Sequence, residues 1–217
     1  MEGHELARTL EGGVEAHRVL LAALGSLTDE QARSASLLPG WSVGHVLTHL
    51  ARNADSHVRL FSAAERGEVV TQYEGGAAGR AADIEAGAQR SASELVHDVR
   101  ASAERLEAAW ASASPACWAG SGITPLGTAS ISDLPMRRWR EAVVHHTDLG
   151  LGYGIDAWPT HYVRTDLVLL TMQWASRRPM GLTELPAEAL AASPGHRLAW
   201  LFGRLDLPGL APANIFG

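Results

Sequence analysis

Along residues 43–66 apolar side chains return every three or four positions. Val43, Val46, Leu47, Leu50, Ala54, Val58 and Phe61 fall on one arc of a helix that turns about 100° per residue. This stripe constrains the fold more than any other feature, because an apolar face of that length must be covered by another layer of secondary structure. Similar spacing marks 4–25, weakened by Gly12 and Gly13. It also marks 83–113, through Ile84, Leu95, Val99, Leu106 and Trp110, and the stretch that ends at Gly150. Four such segments predict an all-α or mainly α protein, a four-helix bundle whose sequential neighbours run antiparallel where they pack directly.

The ends of these helices have chemical signals. Ser42 is a suitable N-cap for the second helix, and Asp133 can cap the fourth, with Pro135 tolerated in its first turn. Gly150 is a good stop. The Gly-rich stretch 67–82 reads as a mobile connection, and 114–132 as a loop or short hairpin. A fifth helix over 160–177 and the amphipathic "PGHRLAWLFGRL" follow. The bundle is therefore expected over 1–158. Residues 159–217 are expected to form a short C-terminal extension with room for a reduced α/β element.

With 46% hydrophobic and 19% charged residues, the 217-residue chain can bury a core and stay soluble. No apolar run reaches the roughly 18–20 residues of a membrane span, and no basic-then-apolar leader is visible. A cytoplasmic protein with no membrane partner is expected, either a monomer or a homodimer. The net charge of −6 and the lack of a basic stretch argue against nucleic acid as a partner. The single cysteine, Cys117, excludes an internal disulfide, so any thiol chemistry would draw on an external thiol. All 18 basic residues are Arg, which suggests GC-rich coding, as in actinobacteria.

The fourth helix carries the chemistry. In "WREAVVHHTDLG", Trp139, Ala142, Val143, His146 and Leu149 share one arc, while Glu141, His145 and Asp148 form a stripe beside it. Arg137, Arg140 and Thr147 are left on the water side. On the second helix, His49, Asn53 and His57 border the apolar arc, whereas His45 and Arg52 point further toward the polar side. Placing His49 opposite Glu141 and His145 brings two imidazoles and a carboxylate together, a donor set that binds zinc with one position open. It suits nickel, iron or cobalt as well. The same i, i+4 spacing of Glu141 and His145 also describes an ordinary helix pair. His146 reads as a hydrogen-bonded core histidine. Asp148 can orient a ligand or face solvent.

Two segments, "LLPGWSVGHVLTHLARNADSHVRL" and "RRWREAVVHHTDLGLGY", resemble the mycothiol-dependent maleylpyruvate isomerase family, within the DinB-like, YfiT-like group of metal-binding four-helix bundles. The resemblance spans roughly 1–160, with an echo at "RLAWLFGR". It implies a zinc site of His49, Glu141 and His145, and mycothiol as the thiol cofactor. Asn53 matches the motif and would line the site as a cofactor-binding residue. Arg204 would pair with a substrate carboxylate. The implied reaction is reversible thiolate addition to the cis double bond of maleylpyruvate, rotation about the resulting single bond, and expulsion of the thiolate to leave fumarylpyruvate. Family members usually carry a larger α/β C-terminal domain, and the tail here is short with little strand pattern. A mycothiol S-transferase or a natural-product isomerase on the same scaffold is an alternative, as is a non-enzymatic metal-binding regulatory bundle.

Overall fold

The computed structural model describes residues 3–177, 183–213 and 215. The chain divides into two compact units, Met1–Leu151 and Gly152–Gly217. The sequence places the boundary at 158/159. The division comes earlier because Gly150 and Gly152, with φ of 69° and 98°, end the last bundle helix and redirect the backbone.

The first unit runs through α1 (Gly3–Ala23), α2 (Asp29–Arg33), α3 (Val43–Glu65), α4 (Gly76–Gly87), α5 (Ala92–Ser112) and α6 (Pro115–Trp118). A hairpin of β1 (Ser121–Thr124) and β2 (Gly127–Ser130) leads into α7 (Leu134–Asp148). The long helices α1, α3, α5 and α7 form the bundle: α3 packs on α5 and α7, and α1 on α7 and α5. The predicted stripe of α3 is at its centre. Leu20, Val46, Leu47, Leu50, Leu95 and Val99 close one end of the core. Leu60, Phe61, Leu106, Trp110, Ile131 and Leu134 close the other. Each large aliphatic buried this fully contributes about 1.5–3 kcal/mol.

Ser42 caps α3 as expected. Its hydroxyl accepts from His45 N–H, and His45 Nδ1 accepts from Ser42 N–H, a reciprocal capping box. Asp133 does not cap α7. The 3-10 turn Ile131–Asp133 runs directly into the helix, which leaves Asp133 helical (φ −89°, ψ −16°) with no side-chain cap bond.

The single helix expected over 83–113 is two helices, and part of the expected mobile connection belongs to the first of them. Gly75, at φ 71°, turns the chain into α4. Gly87 closes α4 against Thr48, where a Cβ would clash with the threonine side chain. Ser91 then starts α5 with its own capping box to Glu94. The turn between α4 and α5 lies so close to α3 that a Cβ on Gly44 would run into the carbonyl of Ala88. Thr147, placed on the water side by helical phase, is buried, because α7 is flanked by both α1 and α3.

The second unit contains α8 (Thr160–Ala175), α9 (Ala187–Ala191) and α10 (Pro194–Leu201). Its described residues include no strand, so the tail is helical there rather than a reduced α/β element. Tyr162, Leu170, Leu198 and Trp200 are buried where α8 and α10 meet. Among the described residues no helix is long and apolar enough to cross a membrane.

Candidate metal centre

α3 and α7 each place imidazoles at the bundle edge because the two helices share the core between them. His49 lies one position off the buried arc of α3, and Glu141 and His145 lie one turn apart on the edge of α7. Their donor atoms converge. His49 Nε2 lies 2.8 Å from Glu141 Oε2 and 3.1 Å from His145 Nε2, and His145 Nε2 lies 3.3 Å from Glu141 Oε2. All three donor atoms therefore lie close enough together for one ion, with bonds of about 2.0–2.1 Å, to reach them at once. The donor chemistry, two imidazoles and a carboxylate, also suits a divalent transition metal. The residues therefore fit the metal that the sequence implies.

The electrostatics are those of a closely coupled cluster. Burial raises the Glu141 carboxyl, but the hydrogen bonds from His145 and His49 prevail and hold it well below the usual carboxylate range. Burial lowers His145, yet bonding to Asp148 and Glu141 pushes it up to about 9. Burial keeps His49 down at about 4 despite the Glu141 carboxylate.

Two further contacts orient the imidazoles of this group. Asp148, fully buried, accepts from His145 Nδ1 at 2.7 Å and so turns Nε2 toward the site. Asp148 is thus on the orienting side of the two roles open to it. Leu38-Pro39-Gly40-Trp41 forms a tight turn, with Trp41 N–H bonded to Leu38 O at 3.1 Å and Gly40 at φ 78°. That turn seats the Trp41 ring edge-on to His49, 5.7 Å between centroids, and stacked on His45 at 6.2 Å. His45 itself caps α3 and reaches Glu85, so it is a neighbour of the site. His146 is buried, as expected.

Beneath the site lies a cation that the sequence did not flag. Arg138 is completely buried, and burial pulls it down only to about 10, so it stays charged at neutral pH. Its Nε donates to His17 Nε2 (2.8 Å), and its Nη1 donates to Leu50 O (2.8 Å) and Asn53 Oδ1 (3.0 Å). His17 bonds Glu107 in turn at 2.7 Å. Asn53 thus has its amide oxygen on Arg138 and its nitrogen 3.5 Å from Tyr73 Oη. Arg52 pairs with Asp55 and Asp98. Arg204, in the second unit, donates to Phe202 O at 2.9 Å.

The second residue missed is Arg80 of α4, whose Nη2 lies 3.1 Å from His49 Nδ1 and whose guanidinium sits 5.7 Å from the centroid of Tyr73. It lies in the Gly/Ala-rich "GAAGRAADIEAG", which has no periodic signal to aim it. Cys117 is buried on Phe61 O, and burial raises its thiol to about 11, which makes it a poor nucleophile.

Two His and one Glu converging from facing helices define the class: a four-helix bundle with a group that could hold a metal ion between its helices. Within that class, the model of the mycothiol maleylpyruvate isomerase N-terminal domain matches residues 14–150, and the chain belongs to that family. A crystal structure of the mycothiol-dependent maleylpyruvate isomerase is similar with a TM-score of 0.82, at 24% identity over 92% of this chain and 89% of that one. A histidine-to-alanine mutant of the same enzyme gives 0.81 with the same identity and coverage. At that identity the likeness is one of fold. A coverage of 92% exceeds the first unit, so the tail shares in the match and is less reduced than its sequence suggests. No curated protein matches the chain in sequence.

Proposed function

We propose that the protein is a metal- and mycothiol-dependent cis-trans isomerase acting on maleylpyruvate or a similar cis-enoic acid. The observation that carries this is the convergence of His49, Glu141 and His145 within 3.3 Å of one another, in a chain of this family. His49, Glu141 and His145 would hold a divalent ion, zinc being the metal that the resemblance implies and that two imidazoles and a carboxylate suit. Bound there, such an ion would lower the pKa of a thiol ligand and so supply a thiolate near neutral pH for reversible addition to the double bond.

The chain's own residues do the rest. Asp148 fixes the tautomer of His145, and Trp41 covers His49 from the side. Asn53 supports the site by fixing Tyr73 and Arg138 beside it. Arg204 is assigned a substrate carboxylate, from the resemblance and the charge-assisted pairing that a guanidinium offers. The buried Cys117 leaves the nucleophile to an external thiol.

The experiment is turnover of maleylpyruvate by zinc-loaded protein with and without mycothiol, with free thiol measured alongside. Formation of fumarylpyruvate only with the thiol, and no net thiol loss, is the expected result. Stoichiometric thiol loss would instead mark a thiol transferase, and no turnover of any cis-enoic acid would contradict an isomerase.

A further inference from the structure

Arg80 and His49 meet in a way that fixes where the imidazole carries its hydrogen. A guanidinium has donors and no acceptor, so its 3.1 Å contact with His49 Nδ1 is a hydrogen bond only if that nitrogen is bare. The His49 proton then sits on Nε2, directed at Glu141 Oε2, 2.8 Å away. A metal bound through Nε2 requires the opposite tautomer of a neutral imidazole. Nδ1 then carries the hydrogen, and two N–H groups would face each other. His145 shows the arrangement that suits a ligand: its Nδ1 has a buried carboxylate, Asp148, at 2.7 Å. His49 has a cation in the corresponding place.

We propose that Arg80 is a substrate-binding residue, released from His49 when the metal is bound, and that it then holds a carboxylate of the acid beside the ion. This rests on the isomerase reading above. Arg80 needs no large movement, because its guanidinium already rests against Tyr73, 5.7 Å from the ring centroid, and that ring can keep it at the edge of the site. Tyr73 is itself within 3.5 Å of Asn53 on α3. The freed donors present a planar fork, which matches a carboxylate in two parallel hydrogen bonds. Maleylpyruvate is a dicarboxylate, so a guanidinium beside the ion has a group to bind that is distinct from the reacting double bond.

The test uses maleate, a cis dicarboxylate that does not react without thiol, titrated calorimetrically into zinc-loaded wild type, Arg80→Ala and Arg80→Lys, with zinc content measured in each. Arg80→Ala is expected to keep its zinc and to bind maleate about tenfold or more weakly. Arg80→Lys should recover part of that loss, since it restores the charge but not the fork. Equal maleate affinity in wild type and Arg80→Ala would overturn the proposal, as would absence of maleate binding by wild type. Loss of zinc from Arg80→Ala would overturn it too, by making Arg80 a support of His49. Maleate binding that depends on Arg80, in a protein with no thiol-dependent turnover, would instead contradict the isomerase reading alone.

Discussion

Asp148 lies buried behind His145 and decides which way that imidazole points. Its carboxylate accepts from Nδ1 at 2.7 Å, and it is buried, so no water competes for that bond. Asp148→Asn keeps the shape but loses the charge. Metal affinity, measured by competition with a chromogenic chelator, should fall about 10- to 100-fold while the helical circular dichroism is unchanged. An unaltered affinity would mean that the ligand is oriented by packing alone. At this scale the sequence was informative where periodicity applies. His49, Glu141 and His145 each stand one step off an apolar arc, so helical phase turns all three to the seam between two helices. Periodicity could not reveal Arg138, which breaks the rule that a charged residue faces water, nor Arg80, which lies in a segment of Gly and Ala where no arc exists.

Among the elements, α3 supplies His49, the central apolar face and the floor on which the α4–α5 turn rests. Its position is set by small residues as much as by large ones. Gly44 lets the Ala88 carbonyl approach the helix backbone, and a Cβ there would overlap that oxygen. Backbone is the obstacle, so the clash cannot be relieved by a rotamer change. Gly44→Ala should lower unfolding stability by about 1–3 kcal/mol in a urea titration, although alanine is the better helix former. A stabilised variant would show that the turn can move away. Such close approaches depend on the tertiary contact and leave no local trace, which is why 83–113 reads as one helix in sequence and folds as two. The caps were legible at Ser42, where serine stands immediately before the apolar stripe. They were misleading at Asp133, where a preceding 3-10 turn removed the need for a cap.

In the molecule as a whole, buried histidines link stability to pH. Burial, helped by the Arg138 charge, lowers His17 to about 4 and His57 to about 3, against 6.5 in an exposed chain. His17 faces Glu107 of α5 and Arg138 of α7, and His57 Nδ1 has no hydrogen-bond partner among the described residues. Between pH 6.5 and about 4 the unfolded chain therefore binds these protons and the folded chain does not. Their contribution is complete above pH 6.5 and declines as pH falls through that window. Unfolding free energies measured by urea titration should drop from pH 7 to pH 4.5, and replacing His17 with Gln should flatten the slope. An equally steep slope in that variant would remove His17 from the linkage.

In the proposed function one metal ion joins α3 to α7 through His49, Glu141 and His145. Metal content by inductively coupled plasma mass spectrometry, on wild type and His49→Ala purified side by side and offered zinc, tests it most directly. About one zinc per chain in wild type, lost in a His49→Ala protein that keeps its helical content, is the predicted result. A wild type that holds no metal, or a variant that keeps it, would contradict the claim and leave Glu141 and His145 as a helix ion pair.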